Sequence, residues 1–313
     1  DQAISENGQT ISTLGNNRIL SLENGLVEVE SGISIRELMH ALIPKGYMVG
    51  VCAGTEYITV GGAIANNVHG KGHHVDGAFI NTVKSFCLIT PSGQELECSR
   101  EKNEPIFWAC AGGCGLLGYI SKASIWLKPI KSAYFNTRSH KASNFQEMLH
   151  LLDTEGLKAH YSVGWIDTTK NNYPGVLVCG EHHEPENNGI DWLMVDTKEP
   201  KTLPNLVPNG LLNQTTTSIL NRVINYKQIK TDGLVHYQPF FFPLDILKNW
   251  NIGYGPNGFI QYQFVIPNKD ALKNMELILS AIKKAKCIPF LNVIKRFGTC
   301  DSRFLSFPIE GYT

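Results

Sequence analysis

Residues 54–74 constrain this chain more than any other segment. They read Gly-Thr-Glu-Tyr-Ile-Thr-Val-Gly-Gly-Ala-Ile-Ala-Asn-Asn-Val-His-Gly-Lys-Gly-His-His. Paired glycines beside small residues lead into three histidines and a lysine. Glycine has no Cβ, so backbone N–H groups can close on a ligand without side chains in the way. Glycines packed next to titratable groups point to a bound cofactor beside a reaction site. The competing reading is a tight turn that needs glycine only for packing, and these residues alone leave both open.

The chain has 313 residues, which suggests two domains at roughly 100–200 residues each. Hydrophobic residues make up 42% and charged residues 18%, an ordinary globular mix. The formal net charge is zero, so nothing in the charge balance argues for nucleic acid. Eight cysteines, at 52, 87, 98, 110, 114, 179, 287 and 300, form no CxxC pair. The ligand spacings of a zinc site are missing, and buried or half-buried thiols in a reducing compartment are the better reading. No signal peptide or membrane-spanning run is present. The chain has no initiating Met, and it is read as part of a longer protein.

Residues 26–31 alternate apolar and polar, as a strand does. Ser34 to Glu37 reads as a capping box for a helix with Ile35, Leu38, Met39 and Leu42 on its apolar stripe, stopped by Pro44 and Gly46. Strands are expected at 82–90, 94–98 and 119–130, with a helix at 104–110 and a second glycine cluster at 112–118. The character changes near residue 131. A helix at 143–155 and strands at 158–166, 174–180, 233–241, 258–266 and 287–297 are expected, with a polar excursion at 181–210. An amphipathic helix over 268–286 carries Leu272, Met275, Leu277, Ile278, Ala281 and Ile282 on or near its buried side. The pattern implies an α+β second domain on an antiparallel sheet.

The first glycine element does not match GxGxxG, and GxxxxGK[ST] is absent, so neither nucleotide fingerprint applies. What remains is a strand-to-helix turn in which Thr59 to Gly62 can offer N–H groups and a hydroxyl to a pyrophosphate. His69, His73 and His74 follow. Gly70 and Gly72 argue against a helix joining them, and the residues balance a structural role against proton transfer. Gln261 and Gln263 would share one face of a strand, as would Lys295 and Phe297 on another. From these residues alone, a solvated sheet face with a snorkelling lysine is the better reading.

Taken in order, the motifs resemble those of a known family. They are Thr59 to Ala65, His69-Gly70-Lys71, His73-His74, Phe107-Trp108-Ala109, Leu203-Pro204, Pro208-Asn209-Gly210, Pro243-Leu244-Asp245, Tyr254-Gly255-Pro256, Gly258 to Pro267, Phe290 to Val293, Lys295 with Phe297-Gly298, and Leu305 to Ile309. The set resembles FAD-linked oxidases of the vanillyl-alcohol-oxidase type, and within them the decaprenylphosphoryl-β-D-ribose 2′-oxidases. The resemblance implies a two-domain α+β FAD-linked oxidase fold, with a PCMH-type FAD-binding domain at 1–130 and an antiparallel-sheet substrate domain at 131–313. It implies non-covalent FAD, with contacts from Gly54, Thr55, Thr59, Val60, Gly61, Gly62, Asn67, His69, Gly70, Lys71, Gly72 and Ile120. Trp165, Gln261, Gln263, Lys295 and Phe297 match positions lining the sugar-phosphate pocket. His69 and Lys295 are the candidate catalytic residues, His69 for proton transfer and Lys295 for the phosphate or a sugar oxygen. No metal is implied.

The implied reaction is oxidation of the 2′-hydroxyl of a polyprenylphosphoryl ribose in cell-wall arabinose synthesis. An NAD(P)H-dependent short-chain reductase would complete the epimerisation. The implied location is cytoplasmic or peripheral at the inner membrane face, although no amphipathic anchor is evident. Free alditols, aldonolactones or 2-hydroxy acids are the alternative substrates, and a flavin-binding remnant without turnover is a third reading. The sequence departs from the family in three places. The Arg-Ser-Tyr-Gly loop that cradles pyrophosphate would end just before Asp1, the C-terminal segment with an important Lys falls outside the sequence, and Gly72 stands where relatives often carry Asn.

Overall fold

One long strand organises the front half. The computed structural model describes residues 8–204, 214–229, 232–255, 258–285, 287, 289, 292–299, 301 and 303–313. Strands β1 (Ile19–Glu23) and β2 (Leu26–Glu30) form a hairpin. Its two-residue turn, Asn24-Gly25, takes positive φ at both positions, as the twist of a tight hairpin demands. With β3 (Tyr47–Val49), β4 (Val83–Ile89), β5 (Glu95–Ser99) and β6 (Tyr119–Pro129) they make an antiparallel sheet in the order β1-β2-β6-β4-β5, β3 pairing with the far end of β6. A bulge at Ser121 shifts the β4–β6 register, so Ile120 is buried out of phase with Ala123 and Ile125.

Helix α1 (Ile35–Leu42) starts at the expected capping box. Ser34 Oγ accepts from the Glu37 amide at 3.1 Å, and Glu37 accepts from the Ser34 amide at 2.8 Å. Ile35, Leu38, Met39 and Leu42 are buried, and the chain turns out through Pro44 and the positive-φ Gly46. Three short helices fill the other connections: α2 (Val60–Ala65), α3 (His73–Asp76) and α4 (Glu104–Cys110).

The second sheet runs β11-β7-β9-β8-β13, built from β7 (Tyr134–Ala142), β8 (Tyr161–Ile166), β9 (Gly175–His182), β11 (Gly233–His236) and β13 (Val293–Ile294). Two small pairs accompany it: β10 (Lys201–Thr202) with β12 (Leu247–Lys248), and β14 (Arg296–Phe297) with β15 (Gly311–Tyr312). Its helices are α5 (Phe145–Leu151), α6 (Gln214–Ile229), α7 (Tyr237–Phe241) and α8 (Ala271–Lys284). Period-two alternation gives this sheet two apolar faces. Phe135 and Tyr161 join the core of the first sheet, while Ile166 and Leu177 pack with Met148 of α5 and Met275 and Leu279 of α8. At the seam, Lys128 donates to Asp76 at 2.6 Å, and His160, just before β8, lies 2.9 Å from the same carboxylate.

Several expectations change. The run 233–241 is a strand only to His236. Tyr237, Phe240 and Phe241 then bury one side of α7, with Pro239 tolerated in the first turn. Residues 258–265 form no strand, and only Ile266 makes an isolated bridge, to Tyr312. The expected strand at 287–297 is reduced to β13 and β14 among the described residues. On α8, Leu277 is 62% exposed and Leu279 is buried instead. Helix α6 was not expected. The motif positions 208–210, 256 and 290–291, together with Asp1 and Cys300, lie outside the described residues.

Replacing Ser34 by Ala removes the α1 cap. The expected loss is about 1 kcal/mol of stability, measured as a lowered midpoint in chemical denaturation at unchanged slope.

Candidate active site

The first glycine turn is seated before it can offer anything to a ligand. Thr59 caps α2, its hydroxyl accepting from the Gly62 amide at 3.1 Å. The Val60 amide donates to the Ile33 carbonyl at 2.9 Å and the Gly61 amide to the Ser31 carbonyl at 2.8 Å. A Cβ at Gly61 would press on Ser31 at 3.1 Å, and one at Gly62 on the Thr59 hydroxyl at 3.2 Å. The amides expected to face a pyrophosphate are therefore used to dock the helix. The ligand-facing surface is the groove they leave.

That groove is a cavity of about 190 Å³ lined by Ser31, Thr59, Gly61, Gly62 and Ile120 on one side and Gly113, Gly115, Leu117, Gly118 and Tyr119 on the other. The second wall is the second glycine cluster, which the sequence shows plainly but which was not among the candidate site residues. A Cβ at Gly118 would overlap the Ile89 carbonyl oxygen, and its φ of 146° suits glycine. Among the described residues, the amides of Gly115, Leu117 and Gly118 make no hydrogen bond, so the open donors belong to this wall. Thr13 and Ser31 also line the groove, and no local pattern marks either of them.

The histidines diverge. His74 reaches across the seam, its Nε2 2.7 Å from the Ala159 carbonyl. His73 opens α3 and is buried with its ring 4.0 Å from that of Phe297. Neither of its nitrogens has a partner among the described residues. His69 sits before the helix, in a bridge to Ala78, and faces the second half of the chain. Its Nε2 lies 2.9 Å from Gln263 Nε2 and its Nδ1 3.3 Å from Lys295 Nζ, with the Phe297 ring at 4.7 Å and the Phe307 ring at 5.8 Å. Lys295 is held by paired backbone bonds with Thr313, 3.0 Å each way. Gln263 Nε2 also donates to Thr313 Oγ1 at 3.2 Å.

Burial governs the charges here. It lowers His69 to about 2, helped by the neighbouring Lys295 charge, so the imidazole is neutral. It lowers His73 to about 4 and Lys295 to about 8. With the Gln263 amide donating to Nε2, the remaining His69 proton sits on Nδ1 and points at Lys295 Nζ. A neutral amine accepts that proton, and an ammonium opposes it.

The other candidates divide. Gln261 is exposed and stands apart from His69, because no strand at 258–265 sets the two amides on one face. Trp165 is buried on β8 with its indole N–H unpartnered among the described residues, and alternation puts it on the Tyr161 face of the sheet, toward the first half. Lys71 donates to the Phe240 and Phe241 carbonyls at the C-terminal end of α7, and burial lowers it to about 7. Thr55 donates to Asp245 at 3.0 Å, beside the exposed Gly54. Asn67 is buried, accepting from the Ile80 amide and donating to Ser306. Gly70 packs against the Cys52 carbonyl, and a Cβ at Gly72 would lie 2.8 Å from the Asp76 carboxylate. These last residues hold the site's shape and do not line the groove.

A glycine-walled groove with amides left open among the described residues fits a flavin nucleotide. The FAD binding domain family matches residues 1–99. Decaprenylphosphoryl-beta-D-ribose oxidase of Mycolicibacterium smegmatis is 35% identical over all of this chain, which spans 70% of that relative. L-gulonolactone oxidase of Bos taurus is 26% identical over 56% of this chain and 39% of its own length. Cytokinin dehydrogenase 5 of Arabidopsis thaliana is 34% identical over 30% of this chain and 16% of its own. The fold is the two-domain FAD-linked oxidase fold, and the chain is an FAD-dependent oxidoreductase. It belongs to the family of the decaprenylphosphoryl-beta-D-ribose oxidases.

Gly118→Ala forces a Cβ into the Ile89 carbonyl at the open wall. FAD occupancy of the purified protein is expected to fall about tenfold, read from the flavin-to-protein absorbance ratio.

Proposed function

We propose that this chain oxidises the 2′-hydroxyl of a polyprenylphosphoryl ribose to the 2′-keto sugar, within residues 1–130 as the FAD-binding part and 131–313 as the substrate part. The observation that carries the reading is the His69–Lys295–Gln263 cluster, drawn from both parts of the chain, in a relative of a named ribose oxidase. FAD, when bound, supplies the acceptor for the hydride that leaves C2′.

The chain's own residues handle the proton. Lys295, with burial bringing it to about 8, is near the working pH and is the better proton acceptor. His69, at about 2, is too weak a base; its Nδ1–H holds the free amine, whose lone pair turns from it to the substrate hydroxyl when that proton is taken. Gln263 fixes the imidazole, its two amide hydrogens going to His69 and Thr313, and retains its carbonyl for a sugar hydroxyl. Phe297 and Trp165 wall the pocket, and the Trp165 indole N–H, unpartnered among the described residues, is a donor for the sugar. Both His69 nitrogens are engaged, which supports non-covalent flavin. Thr59, Gly61, Gly62 and Ile120 face the cofactor as groove wall.

A 2′-keto sugar needs a reductant to return as the epimer, which supports an NAD(P)H-dependent reductase as partner. Among the described residues no helix is long and apolar enough to cross a membrane, and contact with a lipid-linked substrate is read as peripheral. The match to L-gulonolactone oxidase keeps an aldonolactone substrate as the second reading.

The pH profile tests the proton step. The amine is neutral above its pKa, so kcat/KM should rise with pH through about 8 and level off. Lys295→Met is expected to lose about 10²-fold or more and to lose that rise. Lys295→Arg keeps the charge but has no basic amine, and full activity in it would make Lys295 a phosphate anchor instead.

A further inference from the structure

Lys295 can act as a base only where its amine is held at a fixed reach, and the chain that carries it is thinly paired. It sits between two strands of two residues each, β13 and β14. The first pairs with β8 at the edge of the second sheet. The second pairs with β15, and Lys295 exchanges backbone bonds with Thr313, 3.0 Å each way. Among the described residues, β15 gains only a single further bridge, from Ile266 to Tyr312. A two-stranded ladder this short is marginal by itself.

The reinforcement comes from behind. Side chains alternate along extended chain, so Lys295 and Phe297 face His69 while Arg296 turns away. The Arg296 side chain is only 11% exposed, and its guanidinium spans the pair. Nη1 donates to the Phe297 carbonyl at 2.7 Å on one strand and to the Gly311 carbonyl at 3.2 Å on the other. Cζ lies 4.9 Å over the Tyr312 ring, and Nη2 lies 3.7 Å from Glu310. Nε donates to Asp153 at 3.3 Å, and the same carboxylate accepts from the Tyr312 hydroxyl at 2.6 Å. One carboxylate thus takes a donor from each strand.

Asp153 stands on an uncommon piece of backbone. Helix α5 runs on into one π turn, Leu152–Gly156. Such turns are rare and recur beside functional sites. Asp153 is half exposed, so its attraction to Arg296 adds little stability by itself. What it fixes is the direction of the guanidinium. Glu155, on the same turn, pairs with the exposed Lys158 instead.

We infer that Arg296, aimed by Asp153, is a positioning residue: it locks the β14–β15 pair from behind and so sets the reach of the Lys295 amine in front. The inference rests on Lys295 as the proton acceptor proposed above. Burial holds that amine at about 8, so a loosened pair that admits water moves it back up.

The test compares Arg296→Met and Asp153→Asn with wild type in the full-length protein with FAD bound, with Glu155→Gln as the control. With a short-chain prenylphosphoryl ribose, kcat is expected to fall about thirtyfold in Arg296→Met and about threefold in Asp153→Asn. KM should stay near the wild-type value, because a displaced base weakens the transition state and not substrate binding. The rise of kcat/KM with pH should move up by about one pH unit in Arg296→Met. Amide hydrogen exchange should be about tenfold faster at Lys295 and Thr313 in both variants, and unchanged in α1 and β6. The control should match wild type throughout.

A wild-type pH profile together with wild-type exchange at Lys295 and Thr313 in Arg296→Met overturns the inference. Should Arg296→Met not fold, Asp153→Asn decides: faster local exchange with lowered kcat supports the inference, and wild-type values of both overturn it. A wild type whose kcat/KM shows no rise near pH 8, with faster local exchange in the variants, overturns Lys295 as the base and supports Arg296 as the lock on its segment. The exchange measurement needs no turnover, so the two failures are distinguishable.

Discussion

The seating of one short helix on one strand end sets the geometry of everything else. The Ser31 carbonyl accepts the Gly61 amide, the Ser31 hydroxyl donates to the Ile120 carbonyl, and the Ser31 amide donates to the Ser121 carbonyl. One residue thereby ties α2, the end of β2 and the bulge of β6 together. Gly61 is needed because a Cβ would press on Ser31 at 3.1 Å. Once α2 is docked this closely, the groove opens on its outer side, and the chain leaving it must carry His69 toward the second sheet.

The chemistry of the site follows from what burial does to charge. An imidazole and two lysines enclosed together cannot all be cationic, and each is pushed toward its neutral form. Lys71 finds compensation at the carbonyl end of α7, where a helix favours a positive charge. Among the described residues Lys295 Nζ meets no such carbonyls and faces His69 instead. Two lysines of similar burial are thereby given different surroundings, Lys71 tied to backbone carbonyls and Lys295 set against an imidazole.

Much of this was legible where the local pattern and the fold agree. The capping box at Ser34, the alternation of β2 and the long β6 follow from short-range chemistry that tertiary packing reinforces. Helix α6 was not read because, among its described side chains, the buried ones are Thr217 and Asn221 while Ile219 and Val223 face out, so burial does not follow the apolar residues. Asn221 is there to donate to Asp167 at 2.7 Å. The turn into α7 was legible in principle, since Tyr237, Phe240 and Phe241 are spaced i, i+3, i+4, but the preceding alternation masked it. Gln261 was misplaced with Gln263 because period-two reasoning needs a partner strand, and residues 258–265 have none among the described residues.

By itself the sequence determined that a glycine turn would lie beside a cluster of histidines, and that ordered motifs along the whole chain would match FAD-linked oxidases. Those are properties of composition, spacing and order. Only the tertiary structure decided which groups serve the ligand. It used the amides of Val60, Gly61 and Gly62 for packing, left those of Gly115, Leu117 and Gly118 without a partner among the described residues, and brought Gln263 and Lys295 to His69 from about two hundred residues away. The physical reason is that a hydrogen bond or a charge shift depends on the partner across the gap, and that partner is chosen by packing and not by neighbours in the chain.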